Sequence, residues 1–224
     1  MYALPWRLTP ERNARTAETV ATAITTTISL PANVKRIDFK VELENQCEDH
    51  RLRALFRAPF AAEGVHVENA FGVVYRPSTT ESGQGYVERP SGASPQKTFA
   101  CVEDVAHGMA LFNRGIPEVE AAPDKDETIL ALTLLRAVGW LSRDDLTARP
   151  VAAGPQFQTP GAQSKGHHSF EFAFTSYCGG LVEADIVRQA HAFAFPPIAA
   201  LTGCHRGGLK SGCSLVAVDN AAVV

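Results

Sequence analysis

The sequence predicts an all-β protein, a large antiparallel β-sandwich with little helix. Three observations predict this fold class: segments that alternate between apolar and polar residues, glycine and proline between those segments, and almost no apolar spacing of helical period. Alternation with a period of two places successive side chains on opposite faces of a strand. Many short strands with turns between them are typical of a β-sandwich rather than of an α/β fold.

Alternation is clearest over residues 37–44, where four apolar side chains alternate with four charged ones. This pattern predicts a strand with one face in a core and the other in water. The segment Val20–Leu30 alternates as well, and it is rich in threonine, a β-branched residue that suits a pleated surface. The two segments are predicted to form a hairpin that turns across residues 31–33.

Further segments are predicted as strands because they are short, apolar and bounded by turn residues. They are Leu52–Phe56, Phe71–Arg76, Thr98–Val105, Met109–Asn113, Thr128–Ala137 and Ser169–Phe174. The polar segment Pro77–Pro95 is predicted to be a long surface loop, and Arg149–His168 carries no periodicity.

One short helix is predicted over Ile186–Phe195. Ile186, Ala190 and Phe193 fall on one side at helical spacing, which is the pattern of a helix that packs on a core. The prolines that follow at 196 and 197 cannot continue a helix and should end it.

We expect the main β-sandwich to span residues 1–175 and a C-terminal β segment to span residues 176–224. Within the second part, the apolar segments Leu215–Val218 and Ala221–Val224 are predicted as strands. Because the last four residues lack any polar tail, the chain is expected to stop inside a strand.

Composition excludes several classes of protein. A net charge of -3 with 20% charged residues argues against a nucleic-acid partner. The N-terminal segment Met1–Pro10 has no apolar run of signal-peptide length, and no run elsewhere approaches the roughly 18 residues of a membrane span. The odd number of cysteines, 5, without C-x-x-C spacing argues against a disulfide framework and a structural zinc site. We therefore expect a cytoplasmic protein with reduced thiols and no membrane partner.

The acidic and histidine side chains form no catalytic or metal-binding pattern, so no catalytic residue and no metal ligand is predicted in this chain. Glycoside hydrolysis needs two carboxyl groups on either side of the scissile bond, and the adjacent pair Asp144–Asp145 fits a surface turn better. Glu118 and Glu120 share one strand face and are predicted to form a solvated edge. The adjacent pair His167–His168 would point to opposite faces of a strand.

Arg136 is the one candidate site residue. It ends the strongly apolar segment Thr128–Leu135, where a guanidinium needs a carboxylate, a carbonyl or a ligand. Two interpretations stay open: a structural ion pair, or a contact with a sugar hydroxyl or carboxylate across a domain interface.

Ordered motifs between residues 37 and 175 resemble the C-terminal β region of glycoside hydrolase family thirty-eight, the α-mannosidases. These motifs are Asp49–Phe56, Gly108–Glu118, Leu132–Arg143, and a last group made of Arg149–Pro150, Ala153–Pro155 and Thr159–Gln163.

The resemblance implies an enzyme several times this length that hydrolyses α-mannosides. Its N-terminal barrel would carry the nucleophilic aspartate, the acid and a divalent, zinc-type metal, and none of the barrel motifs occurs here. This chain would be the galactose-mutarotase-like supersandwich behind the barrel, inactive alone and partnered by the barrel and the carbohydrate. Arg136 matches an arginine that approaches the substrate. Whether the chain forms a homo-oligomer stays open.

Two other classes of function stay open. A free-standing carbohydrate-binding module would stack exposed aromatic side chains on sugar faces, and the candidates are Trp6, Tyr75, Tyr86 and Trp140, the last of which fits a core position better. A structural interaction protein would instead expose a large apolar face that drives oligomerisation.

Overall fold

The computed structural model describes residues 2–78, 83–203, 206–208, 210, 212–214 and 216–217. Within these ranges the regular secondary structure is almost all strand, with little helix, which confirms the all-β prediction. The strands are β1 (Tyr2–Pro5), β2 (Thr19–Thr22), β3 (Ile24–Ser29), β4 (Ile37–Asn45), β5 (Arg51–Ala58), β6 (Gly64–Asn69), β7 (Gly72–Pro77), β8 (Ala93–Pro95), β9 (Phe99–Glu103), β10 (His107–Asn113), β11 (Glu118–Asp124), β12 (Glu127–Arg136) and β13 (Gly166–Cys178). A 3₁₀-helix covers Pro160–Gln163, and the α-helix α1 covers Ile186–Ala194.

Two antiparallel sheets make the sandwich. The large sheet has the strand order β3-β4-β13-β10-β9-β6-β7, and the smaller one has the order β5-β12-β11-β8. Strands β1 and β2 form a separate ribbon. Side chains from the large sheet and the smaller sheet meet in one core, in which Val67, Val119 and Leu130 are completely buried. This core is the apolar face that the alternating pattern predicts.

Aromatic side chains join the two sheets inside this core. Phe39 and Phe172 of the large sheet stack with ring centroids 5.3 Å apart. Phe56 of the smaller sheet meets the edge of Phe39 at 5.5 Å and stacks on Phe174 at 5.8 Å. Such pairs add stabilisation beyond the area that they bury, about 0.5–1.5 kcal/mol each.

Helix α1 covers the opposite face of the large sheet. Its side chains Ile186, Ala190 and Phe193 are buried there against Phe99 and Phe112, as the helical spacing predicts. The sheet therefore has an apolar layer on both faces, and the helix closes a second, smaller core.

The predicted hairpin is confirmed, since β3 pairs with β4 in antiparallel register from Ile24–Leu43 to Ser29–Asp38. The predicted single strand Val20–Leu30 is instead two strands. Its first part, β2, pairs with β1, while β3 pairs with β4. The break lies at Ala23, whose carbonyl accepts a hydrogen bond from the Glu44 backbone N–H at 3.1 Å.

Glu118 and Glu120 do not form a solvated edge. Strand β11 lies inside the smaller sheet, and its glutamates are only 28% and 24% exposed. Arg51 of β5 reaches across β12 to Glu118 at 3.2 Å, and Arg53 pairs with Glu120. The ion pairs across the central strand place these carboxylates in a charged ladder on the outer face of the sheet.

The division of the chain at residue 175 stays a prediction. Strand β13 runs through this position to Cys178, and the described residues after it contain α1 but no strand. Of the strand predicted at Leu215–Val218, the structure describes residues 216–217, which are not in a strand. The strand predicted at Ala221–Val224 lies outside the described residues.

The cysteines are free thiols where the structure describes them. Cys47 and Cys101 are buried, whereas Cys178 and Cys213 are exposed, and Cys204 lies outside the described residues. Burial raises the pKa of the Cys101 thiol to about 12, so this thiol stays protonated. Among the described residues, no helix is both long enough and apolar enough to cross a membrane.

Candidate functional site

Parts of the chain that contain the sequence motifs meet around two adjoining pockets, here called the double pocket. The larger pocket has a volume of about 700 Å³ and the smaller one about 550 Å³. The residues that line both are Leu8, Arg12, Asp49, Gly139, Trp140 and Arg143. Both volumes lie within the range of small-molecule sites, about 300–1,000 Å³.

The connection between β1 and β2 forms one wall of the double pocket. Backbone hydrogen bonds hold this connection as a hairpin, including Thr16 N–H to the carbonyl of Arg7 at 2.9 Å. The Arg15 guanidinium then ties it to the turn after β4, donating to the Asp49 carbonyl at 2.7 Å and the Pro5 carbonyl at 3.3 Å. Arg12, at the tip, has a left-handed backbone with φ 58°.

A reciprocal pair of hydrogen bonds fixes the floor of the larger pocket. The Asp49 backbone N–H donates to Gln163 Oε1, and Gln163 Nε2 donates to Asp49 Oδ1, both at 2.8 Å. Gly139 passes close to this pair, because a Cβ there would lie 3.0 Å from Gln163 Nε2 and 3.2 Å from Asp49 Oδ1. The Asp49 carboxylate therefore has a fixed orientation.

Cationic side chains outnumber anionic ones in the larger pocket. Its charged lining consists of Arg7, Arg12, Arg143, Lys165, Glu48 and Asp49. Lys165 pairs with Glu48 at 2.7 Å, and Arg143 Nε donates to Asp145 Oδ1 at 2.6 Å. The hydrogen bond from Arg143 lowers the pKa of Asp145 to about 2, so Asp145 is a carboxylate at neutral pH.

Two of these arginines keep unused hydrogen-bond donors. Arg12 Nη1 is buried without a hydrogen-bond partner in the described part of the chain, and Asp145 Oδ1 lies 3.8 Å away. The Arg7 guanidinium lies over the Trp6 ring at 4.3 Å and pairs with no acid among the described residues. An arginine fork with free N–H groups is suited to bind a carboxylate or phosphate.

Trp140 is not part of either core. It is half-buried, lines both pockets and carries the Arg143 guanidinium at 5.0 Å from its ring. Its backbone pairs with that of Gln158 in a single antiparallel bridge outside the named strands. The exposed Tyr75 and Tyr86 lie outside the double pocket.

Arg136 lines the smaller pocket at the end of β12 and is exposed. It pairs in backbone register with Arg51 of β5. Its side chain makes no ion pair with any residue that the structure describes, so the ion-pair interpretation is not seen here. A ligand contact stays a prediction.

His50 lies next to the double pocket and is half-buried. Burial, followed by the positive charge of Arg15, lowers the pKa of His50 below its usual 6.5. Within the described residues, no group of three or more histidine, cysteine and acidic side chains could hold a metal ion.

Asp49, Arg143 and Gln163 lie inside the sequence motifs, but the sequence predicts no binding role for any of them. Arg7 and Arg12 were missed altogether, and no local pattern distinguishes them from other surface arginines. Of the remaining candidates, His167 is exposed, whereas His168 is half-buried and contacts the Ser164 carbonyl oxygen at 2.7 Å.

Comparisons with known proteins all lead to one family. The family described as "Glycosyl hydrolases family 38 C-terminal domain" matches residues 9–147. A relative from Halalkalibacterium halodurans, named "Putative mannosylglycerate hydrolase", is 25% identical over 207 residues, which are 92% of this chain and 21% of the relative.

Two solved structures also resemble the chain. A glycosyl hydrolase family 38 protein from Enterococcus faecalis superimposes with a TM-score of 0.76 and 25% identity, covering 93% of this chain and 24% of that one. An alpha-mannosidase from Enterococcus faecalis V583 has a TM-score of 0.73 and 28% identity, covering 87% and 20%. The chain spans between a fifth and a quarter of the length of these proteins.

Proposed function

The chain belongs to the glycosyl hydrolase family 38 C-terminal domains, and from this membership we propose that it is the accessory β-domain of an α-mannosidase-type glycosyl hydrolase. The family match is the observation that carries the proposal. The short share of each relative that the chain covers supports it, because the rest of those proteins leaves room for a separate catalytic part.

The carboxylates that line the larger pocket are already bound to other side chains, which supports an accessory role. Hydrolysis of a glycosidic bond uses one carboxyl group as an acid and another as a nucleophile or base. Glu48 is already paired with Lys165, and Asp49 is held by Gln163. We therefore propose that the catalytic acids and the divalent, zinc-type metal belong to the missing N-terminal barrel, with which this domain packs.

The proposed substrate of the whole enzyme is an α-mannoside. The names of two proteins described above support this class, since one is an alpha-mannosidase and the other is named "Putative mannosylglycerate hydrolase". We propose that Arg136 contacts this substrate in the whole enzyme, because it is exposed at the smaller pocket and forms no ion pair with the residues that the structure describes. Arg136→Gln should then raise the KM of the whole enzyme more than it lowers kcat.

A free-standing carbohydrate-binding module is not supported by the comparisons, because the relatives described above are much longer hydrolases. The cytoplasmic location and the homo-oligomer stay predictions.

The isolated chain tests the accessory role. Incubated with an aryl α-mannoside, with and without added zinc, it should release no product, because the reacting groups belong to the other part of the enzyme. Calorimetric titration with mannose oligosaccharides should also give no binding heat. Turnover that a point substitution abolishes would show a catalytic chain, and clear binding of oligosaccharides would show a binding module; either result contradicts the proposal.

A further inference from the structure

We propose that the larger pocket binds a small hydroxycarboxylate, with its carboxylate held by Arg7 and Arg12 and a hydroxyl group held by Asp49. This inference goes beyond the accessory role and does not depend on it, because it concerns binding by this chain alone. The proposal is supported by the free hydrogen-bond donors of the two arginines, by the acceptor of Asp49 and by the net charge of the pocket.

The first observation is the unused donor of Arg12. Its Nη1 atom is buried, so it is shielded from bulk solvent, yet the described residues offer it no acceptor. Asp145 lies 3.8 Å away, beyond hydrogen-bond distance, and already accepts from Arg143. A buried donor of this kind is costly unless an acceptor is supplied, and an anion in the pocket would supply one.

Arg7 provides the second cationic donor. Its guanidinium carbon lies 4.3 Å from the centre of the Trp6 ring, a cation–π contact that uses none of its N–H groups. Because Arg7 pairs with no acid among the described residues, a carboxylate oxygen can bind to it without first breaking an ion pair. The guanidinium fork is planar and pre-organised, so little conformational entropy is lost for each hydrogen bond that it forms.

The acceptor is Asp49. Its Oδ1 atom is occupied by Gln163, whereas no hydrogen bond to Oδ2 is found among the described residues. A carboxylate can only accept, so the group that it binds must be a donor such as a hydroxyl. Two cationic donors beside one fixed acceptor match a ligand that carries both a carboxylate and a hydroxyl.

The charge balance of the pocket favours an anion. Lys165 and Arg143 are neutralised by Glu48 and Asp145. Asp145 also lies 3.8 Å from Arg12 Nη1, so one carboxylate serves two arginines, and Arg7 pairs with no acid among the described residues. The four cationic side chains of the lining therefore keep an excess of positive charge over Glu48, Asp49 and Asp145. A neutral polyol would satisfy Asp49 but would not balance this excess.

Tryptophan fluorescence can measure the binding directly. The chain has 2 tryptophans: Trp140 lines the pocket, and Trp6 lies under the Arg7 guanidinium. D-glycerate, titrated into the chain at constant low ionic strength, should give a saturable change in fluorescence. Glycerol, its neutral counterpart, should give none. Inorganic phosphate and acetate, which lack the carbon-bound hydroxyl, should bind at least several-fold more weakly.

Variants of the pocket arginines test whether the fluorescence change arises from binding in this pocket. Arg12→Gln and Arg7→Gln should each weaken glycerate binding about tenfold, the loss expected for a charge-assisted hydrogen bond. Arg188→Gln removes an exposed arginine of α1, 78% exposed, and should change nothing. Because Arg7 is exposed and makes no structural ion pair, its variant should fold even if the Arg12 variant does not.

The proposal is overturned by any of three results: no saturable response to glycerate, equal binding of glycerol, or equal binding of phosphate or acetate. Unchanged glycerate affinity in both arginine variants would overturn it as well. Failure here leaves the accessory role untouched, because that role is tested by turnover and by oligosaccharide binding.

Discussion

At the scale of single residues, Gln163 is the side chain that holds the candidate site in shape. Its amide group both donates to and accepts from Asp49, although the two residues are 114 positions apart in the chain. Asn45 completes the junction by donating to the carbonyls of Gln163 at 3.0 Å and Ser164 at 2.9 Å. The turn after β4 and the segment before β13 are thereby joined.

Gln163→Ala should destabilise the chain by about 1–3 kcal/mol, because it leaves the Asp49 backbone N–H without its acceptor. The measurement is urea unfolding followed by tryptophan fluorescence. As a matched control, Gln46→Ala removes an exposed glutamine that bonds only to Glu44 at the surface, and it should change the unfolding free energy by less than about 0.5 kcal/mol. Equal losses in the two variants would contradict the role given to Gln163.

Only part of this site could be predicted from the sequence. Asp49, Arg143 and Gln163 lie inside recognisable motifs, so their importance can be suspected before the fold is known. The relation between them cannot, because it depends on contacts between distant segments. Arg12 shows the limit most clearly: its buried Nη1 atom results from tertiary packing, and nothing local in the sequence marks it.

At the scale of elements, polar contacts beside its apolar face attach helix α1 to the large sheet. Arg114, which follows β10, donates from Nε to the Phe193 carbonyl at 2.9 Å. His191 Nε2 lies 2.8 Å from Glu68 Oε1 of β6. The same carboxylate accepts from the Thr98 backbone N–H at 3.0 Å. Burial tends to raise the pKa of Glu68, but the hydrogen bonds of Thr98 and His191 outweigh it and hold the pKa below its usual 4.5.

Glu68→Gln should loosen α1 at neutral pH, since it removes the charge that these donors stabilise. We expect a loss of about 1–3 kcal/mol and faster amide exchange over residues 186–194. In the wild type the folded pKa is lower than the unfolded one, so this stabilisation is present above about pH 4.5 and is lost as pH falls through the folded value. Glu63→Gln, at an exposed position nearby, is the control; similar exchange in both variants would argue against the contact.

Strands could be predicted from the sequence where one face of the strand is exposed to solvent. Strand β4 alternates strictly because its other face enters the core, and the pattern is visible in the sequence. Strand β6 was missed because only the short segment Val65–Glu68 alternates and its polar side is not exposed to solvent. The buried Glu68 is stabilised there by Thr98 and His191, which lie far away in the sequence.

At the scale of the whole molecule, β13 completes the large sheet. It lies between β4 and β10 and pairs with both over most of its length. Its Phe172 enters the main core, while Ala173 faces the second core under α1. Without β13 the large sheet would be divided into two parts, each with an open, apolar edge.

A chain that ends at residue 165 should therefore fail to fold, whereas one that ends at residue 203 should fold. Near-ultraviolet circular dichroism and a cooperative thermal transition distinguish the two. The longer version keeps α1 and every strand that the structure describes, and it controls for the loss of the remaining residues. A cooperative transition in the shorter version would show that the sheet does not depend on β13.

The central position of β13 in the large sheet also affects folding during synthesis. While the ribosome synthesises the polypeptide, β4 emerges long before its neighbour β13 does. At a translation speed of about 5–20 residues per second, the wait is on the order of ten seconds. During that time Val41 and Leu43 have no complete core to enter. Nascent chains of this domain should therefore rely on chaperones, and slower growth at low temperature should improve the yield of native material.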